Sequence, residues 1–247
     1  MSKQMTPYTS PAPFVSAHIR ARIVKILLIV GAVATGLTFL SEALSFVFPP
    51  LTDDQELGDN PIGAVLSLFT FLFALFEFVV YWATVVFFLV WLYRAYNNLR
   101  AFDPDRPNEY STGWALGSFF IPFVNLIIPY RAIKETWQKS GPSDEALLSA
   151  PSPPAWFSIW WMFWLLSSMA GNLSLRLSLD ENVSERIATM VSMVAGALSI
   201  VAAVFAYVVV NAIDKRQEET SGKLRLGNLP VPPPPPTNLP ISDAVVP

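Results

Sequence analysis

Five long apolar runs dominate this sequence and constrain what it can fold into. They cover residues 23–48, 63–93, 113–130, 155–179 and 187–213. Charged residues make up only 14% of the chain, whereas a soluble domain carries about 25%. So little charge cannot cover a globular surface in water, and a run of about 20 apolar residues is long enough to cross a bilayer. The sequence therefore predicts an all-α integral membrane protein.

The distribution of lysine and arginine predicts how many of the runs cross the membrane. If all five cross, the two sides receive nearly equal numbers of basic residues. If 113–130 enters and leaves on the same side, the basic residues gather on one side, and Arg176 and Arg186 remain on the other. Because cytoplasmic loops are enriched in Lys and Arg, we predict four transmembrane helices at 23–48, 63–93, 155–179 and 187–213. Both termini and the central loop are then cytoplasmic.

The third run, 113–130, is predicted to be a proline-broken re-entrant or short membrane segment. Pro122 and Pro129 each remove a backbone donor and disturb the preceding helical turn. Lipid cannot satisfy the freed carbonyls, so the other four helices are expected to shield this segment. Asn125, between the prolines, is expected to supply some of the missing hydrogen bonds. An ordinary kinked span is the alternative.

Both ends of the chain are predicted to be disordered tails, which leaves 18–213 as the helical membrane domain. Residues 1–17 are polar and proline-punctuated, and residues 214–247 include the polyproline stretch 232–236. That stretch is also compatible with a partner-docking segment. A signal peptide is an alternative for the N-terminal part, but the first run is longer than the usual apolar core of about 7–15 residues.

A cluster of polar residues inside the predicted spans is the first candidate site. Glu77 stands out, because an acid inside a membrane is costly to bury and is often functional. Counting about 20 residues per crossing places Glu77 in the outer half, with Glu42 and Arg176 near the outer edge, where they are expected to pair. Tyr81 extends a polar stripe on the same helix face. We interpret the stripe as an interhelical clamp, and a crevice for a proton, an ion or a small substrate is the alternative.

A belt of basic and aromatic side chains at the predicted cytoplasmic face is the second candidate. Amphipathic aromatic side chains prefer the headgroup zone, and cations favour anionic lipids. The belt is interpreted as ordinary interfacial anchoring, with a lipid-headgroup or partner site as the functional alternative. Its residues are Arg94, Tyr96, Arg100, Asn125, Tyr130, Arg131 and Trp137.

The residue inventory argues against most catalytic chemistry. The sequence has no cysteine and a single histidine, His18, so thiolate metal sites and His-based triads lack their parts. It also has no glycine-rich phosphate loop and no basic nucleic-acid patch. We expect no catalytic residue, no cofactor, no metal and no nucleic acid. The expected partners are the lipid bilayer and either another membrane protein or a second copy of this chain.

The polar stretch after the second run resembles a known family. The segments that carry the resemblance are WLYRAYNNL at 91–99, YSTGWA at 110–115, FIPFVNL at 120–126 and PY at 129–130, followed by Glu135, Trp137 and Ser140. They resemble the bacterial membrane-protein family catalogued as domain of unknown function 4328. The resemblance is most specific over about residues 91–140. It implies a multi-pass bacterial membrane protein and supplies no activity, substrate or catalytic residue.

Two classes of function remain open on the sequence. The favoured one is a non-enzymatic plasma-membrane protein that scaffolds, assembles or regulates partners, because packing-type stripes and two tails are present and catalytic sets are not. The alternative is a small transporter or channel that uses Glu77 and the broken segment 113–130, since discontinuous helices often line substrate sites.

Overall fold

The computed structural model describes residues 13–47, 61–102, 107–141 and 152–227, which form helices and turns with no β-strand among them. The all-α class is therefore confirmed over these residues. Two 3-10 turns, Ser118–Phe120 and Val124–Leu126, lie between α4 and α5. The helices are α1 His18–Val47, α2 Pro61–Asn97, α3 Leu99–Phe102, α4 Thr112–Gly117, α5 Ile128–Lys139, α6 Ala155–Ser178 and α7 Glu185–Gly227.

Three segments in the described part of the chain are long and apolar enough to cross a membrane. They are His18–Leu44 in α1, Leu68–Phe102 in most of α2 and all of α3, and Glu185–Leu224 in α7. A further pair of segments is long and apolar enough only when the two are counted together, and they are bent by 109° relative to each other. They are Thr112–Phe120 and Val124–Lys139. A fourth crossing arises if that bent pair counts as one broken span.

Helix α6 covers the predicted span at 155–179, but it is less apolar than the other three. Its 24 residues exceed the roughly 20 that a crossing needs. Indole groups and polar side chains lower its hydropathy, and tryptophan prefers the membrane interface to the hydrocarbon. These residues are Trp156, Trp160, Trp161, Trp164, Ser167, Ser168 and Asn172. The crossing by α6 stays a prediction.

The four long helices pack in the order α2, α1, α7, α6. Helix α7 contacts both α6 and α1, and α1 contacts α2. Two of these contacts involve glycines: a Cβ on Gly31 would make ordinary van der Waals contact with Val80 at 3.7 Å, and one on Gly196 would do so with Thr35 at 3.6 Å. Small residues at helix contacts are the usual means of close packing in membranes. The neighbouring helices are therefore in direct contact at these two points.

The buried core lies at one end of the helix row, which we call the basic end. It comprises the start of α1, the end of α2, residues 107–141, the start of α6 and α7 beyond about residue 205. Trp91, Ile133 and Phe157 are fully buried there. In the other half of the row, side chains such as Phe69 are exposed, at 71%. An exposed apolar surface of this kind suits contact with lipid.

The described parts of the two predicted tails, residues 13–17 and 214–227, pack against the basic end. The Val15 backbone is hydrogen-bonded to the Asn98 side chain, with 3.3 Å from the Val15 N–H to Oδ1 and 3.0 Å from Nδ2 to the Val15 carbonyl. Helix α7 continues past residue 213 to Gly227, because its polar extension is packed against the basic end. Residues 1–12 and 228–247, including the polyproline stretch, lie outside the described residues.

Candidate functional site

The predicted intramembrane carboxylates, Glu42 and Glu77, lie at the contact of α1, α2 and α7. The Ser192 hydroxyl of α7 donates a hydrogen bond to Glu42 Oε1 at 2.8 Å. Glu77 of α2 lies within electrostatic range of Glu42 and beside the Thr38 hydroxyl of α1. That hydroxyl is buried and makes no hydrogen bond of ordinary geometry. The polar stripe therefore forms part of a three-helix contact.

The other two residues predicted for this cluster, Tyr81 and Arg176, form no hydrogen bond or ion pair with either carboxylate. The Tyr81 side chain is 63% exposed, and its ring packs edge-on against Trp82 at 5.7 Å between centroids. Arg176 is exposed near the end of α6 and forms no ion pair with a described residue. Helix α7 stands between α6 and α1, so the structure does not bring Arg176 to Glu42 or Glu77.

A buried hydrogen-bond network centred on Gln217 holds the basic end together, and the sequence reasoning missed it. Gln217 Nε2 donates to the Ala95 carbonyl at 2.8 Å and to Ser140 Oγ at 3.0 Å. Its Oε1 accepts from Asn98 Nδ2 at 3.1 Å. Gln217 and Asn98 are each only 2% exposed. The network ties the end of α2, the end of α5 and the extension of α7 to one another.

The segment before α1 is fixed to the same extension of α7. Ser16 Oγ donates a hydrogen bond to the Glu218 carboxylate. His18 Nδ1 lies 2.8 Å from Asp214 Oδ2, and the Asp214 side chain is only 5% exposed. The start of α1 and the extension of α7 are thus held side by side, although about two hundred residues separate them in the sequence.

A second buried network surrounds Glu135 of α5. Its Oε2 accepts from the Tyr96 hydroxyl at 2.6 Å, and its Oε1 accepts from the Glu109 N–H at 2.7 Å. Lys139 Nζ lies 2.7 Å from the same Oε1, and the Tyr110 N–H donates to the Tyr96 hydroxyl at 3.1 Å. Burial, together with a hydrogen bond to the Glu109 carboxylate, raises the pKa of the Tyr110 phenol. This network fixes the loop before α4 against α2 and α5.

Other residues of the predicted belt also serve contacts within the chain. Arg94 Nε donates to the Val15 carbonyl at 3.3 Å. The Arg216 guanidinium lies over the Trp137 ring, 4.6 Å from its centroid, which is a favourable cation–π distance. The polar atoms of most belt residues are therefore engaged in contacts within the chain, whereas Arg100 is exposed on the surface.

The part of the bent pair that precedes α5 forms a hairpin, residues 112–127, whose turn contains the non-glycine residue Phe123 at a φ of 65°. The Trp161 indole N–H donates to the Leu126 carbonyl at 3.0 Å, and the Tyr130 hydroxyl lies 2.8 Å from Ser158 Oγ. Asn125 was expected to supply such bonds, but its side-chain amide donates to no described residue, and its Oδ1 is buried without a partner. The Leu126 carbonyl of the broken backbone is thus satisfied by a donor from α6, and the hairpin also packs against α2 and α5.

No three His, Asp or Glu side chains in the described part of the chain come close enough to hold a metal ion. The buried polar atoms of the basic end mostly satisfy one another. What this end can do is hold several chain segments in one fixed arrangement.

Comparison with known proteins identifies a family. The model of a family described as Domain of unknown function (DUF4328) matches residues 62–215. No curated protein and no solved structure matches the chain. The matched region contains α2, the hairpin, α5, α6 and most of α7, and it leaves out α1. The match covers more than half of the sequence and confirms the resemblance found in residues 91–140: the chain belongs to the DUF4328 family.

Proposed function

We propose that this protein is a non-enzymatic, multi-pass protein of the plasma membrane that works as a scaffold. It presents its two tails side by side at the cytoplasmic face to a partner, either another membrane protein or a second copy of the chain. The Gln217 network carries the proposal, because Gln217 on the extension of α7 binds Asn98, and Asn98 in turn holds the Val15 backbone in the segment before α1. A fully satisfied buried polar network specifies one arrangement of the segments it joins.

The positions of Glu77 and the hairpin argue against the transporter alternative. In transporters, broken helices and polar side chains meet around one substrate site near the membrane midplane. Here the Phe119 ring of the hairpin contacts Phe88 of α2, with 6.2 Å between centroids. Glu77 lies eleven residues before Phe88 on α2, which corresponds to about 16 Å along the helix. The two features do not face a common site.

The membrane arrangement that we propose has four crossings, with the hairpin re-entrant and both termini cytoplasmic. The described lysines and arginines gather at the basic end, apart from Arg176 and Arg186, as expected for the cytoplasmic side. Phe120 and Phe123, near the turn of the hairpin, are 67% and 84% exposed. Such exposure suits rings that lie in lipid and would be costly in water.

Cysteine labelling tests this arrangement directly, since the chain has no native cysteine. We expect Ser184→Cys in intact cells to react with a membrane-impermeant thiol reagent, because residue 184 then faces the outside. Ser143→Cys is expected to react only after the cells are opened. The reverse pattern would mean five crossings and an external C-terminal tail.

Photo-crosslinking in living cells tests the scaffold. With a benzophenone amino acid at Val231 in the C-terminal tail, we expect one discrete adduct, identified by mass spectrometry as a membrane protein or a second copy. Deleting residues 1–12 is expected to weaken it several-fold, since two neighbouring tails bind one partner with higher avidity. The same probe at Glu181, on the opposite side, is the matched control.

Two results would contradict the scaffold. One is the absence of an adduct from the tail probe, and the other is an adduct whose yield does not change when residues 1–12 are removed. Glu77→Gln is expected to leave the yield unchanged, because Glu77 belongs to the helix contact far from the tails.

A further inference from the structure

A groove of about 390 Å³ opens at the basic end between α5 and the loop that precedes the hairpin. One face of α5 forms its floor, because residues three, four and seven positions apart share a helix face. The loop forms the opposite wall. The residues that matter here are Tyr130, Arg131, Lys134 and Gln138 on α5, with Glu109 on the loop and Lys139 at the end of α5.

The side chains that line this groove include one more cation than carboxylates. Glu109 Oε1 lies 3.0 Å from Arg131 Nη2, and Glu135, also in the lining, is paired with Lys139 at 2.7 Å. The two carboxylates are thus compensated by two of the three cations. The Lys134 ammonium forms no ion pair with a described residue. The lining of the groove therefore has a net positive charge, and Lys134 is the cation that remains available to a ligand.

We propose that this groove binds a phosphate ester, with Lys134 and Arg131 as the residues that hold the phosphate. Arg131 and Lys134 are three residues apart on one helix face, so both point to the same side of α5. A guanidinium has five N–H donors and an ammonium has three. Arg131 uses part of its set on Glu109, and the remaining donors suit the several acceptor oxygens of a phosphate.

The unoccupied carboxylate oxygen of Glu109 favours a phosphate ester that also carries a hydroxyl group. Both the Tyr110 hydroxyl, at 2.8 Å, and Arg131 contact Oε1 of Glu109. Glu109 Oε2 accepts no hydrogen bond from a described residue, and a carboxylate oxygen has room for two. A glycerol phosphate group offers the phosphate for Lys134 and a hydroxyl donor for Glu109.

The place of the groove favours a lipid as the source of that group. Tyr130 forms part of the lining, and its hydroxyl lies 2.8 Å from Ser158 in the first turn of α6. Its ring lies 6.1 Å from that of Trp161. Tyrosine and tryptophan gather at the headgroup level of membranes. The headgroup of phosphatidylglycerol would reach the groove from the bilayer, and a soluble glycerol phosphate would offer the same chemistry.

Lipid binding by matched variants tests the proposal. The full-length protein is placed in nanodiscs of phosphatidylcholine with a minor share of phosphatidylglycerol, and bound lipid is counted by native mass spectrometry. We expect Lys134→Gln to weaken phosphatidylglycerol binding about tenfold or more, because a charge-assisted hydrogen bond is lost. Lys134→Arg is expected to bind nearly as well as the wild type. Lys215→Gln removes an exposed cation outside the groove and is expected to cost at most about fivefold, as for diffuse attraction to an anionic surface.

Equal losses in Lys134→Gln and Lys215→Gln would overturn the proposal, because the lipid would then respond only to overall charge. A titration with soluble glycerol 3-phosphate separates the two sources. Displacement of the lipid at submillimolar concentration would identify a soluble ester as an effective ligand of the same site, and no displacement would identify the lipid. The tail crosslink does not involve Lys134, so failure of this site and failure of the scaffold are distinguishable.

Discussion

Replacing Gln217 with leucine is expected to lower the free energy of unfolding of the detergent-solubilised protein by about 3 kcal/mol. Leucine has a similar volume, so little cavity forms. The loss comes from three polar groups that Gln217 contacts: the Ala95 carbonyl, the Asn98 amide and the Ser140 hydroxyl. Asn98 Nδ2 keeps its bond to the Val15 carbonyl, and Ser140 Oγ keeps its bond to the Thr136 carbonyl, so each group loses one hydrogen bond, worth about 1 kcal/mol. The shift of the thermal unfolding midpoint measures the effect.

Glu219→Gln is the matched control, two residues further along α7. Glu219 is 59% exposed, and its carboxylate lies 3.8 Å from Lys215 Nζ. Exposed ion pairs of this kind contribute about 0–1 kcal/mol, so the control is expected to leave the midpoint nearly unchanged. If Gln217→Leu shifted the midpoint no more than Glu219→Gln, the buried network would not stabilise the basic end, and the scaffold would lose its main support.

The long helices are the part of the fold that the sequence predicts best. Hydropathy places α1, α2 and α7 correctly, because an apolar run of that length has few other stable forms. It does not place their ends. Helix α1 begins at His18, α2 runs to Asn97 and α7 to Gly227, all beyond the apolar runs. Hydropathy marks the part of a helix that suits lipid, whereas backbone hydrogen bonding continues until the helix is capped or broken.

The buried networks were missed because each depends on residues far apart in the sequence. Asn98 and Gln217 are 119 positions apart, and each is an ordinary polar residue beside its sequence neighbours. One local signal did exist. Asp214, Gln217 and Ser221 recur at helical spacing and are all buried, so a polar face of a helix was present where a disordered tail was predicted.

The intramembrane cluster shows a different limit. Counting residues from the interface gives the depth of a side chain in the membrane, and it placed Glu42, Glu77 and Arg176 at comparable heights. Depth does not say which helices are neighbours. Because α7 lies between α6 and α1, Arg176 is separated from the carboxylates by a whole helix. The order of the helices depends on how they pack, which the sequence of one apolar run does not indicate.

Trp161→Phe is expected to loosen the hairpin. The substitution keeps an aromatic ring and removes the N–H that reaches the Leu126 carbonyl at 3.0 Å. An unsatisfied carbonyl in apolar surroundings costs about 1–3 kcal/mol, and every 1.4 kcal/mol corresponds to about a tenfold change in an opening equilibrium. We therefore expect amide hydrogen exchange within residues 118–127 to become about tenfold faster.

Trp91→Phe is the matched control, because it makes the same substitution at a tryptophan that donates no hydrogen bond. Trp91 is fully buried, and its indole N–H has no hydrogen-bond partner, so this variant shrinks a buried ring without removing a hydrogen bond. It is expected to lower the unfolding midpoint through the cavity it leaves and to leave exchange in the hairpin nearly unchanged. Equal acceleration in both variants would mean that ring packing, and not the Trp161 hydrogen bond, holds the hairpin. The proline-broken backbone would then need another donor, and the Trp161 hydrogen bond would not be what holds the hairpin in place.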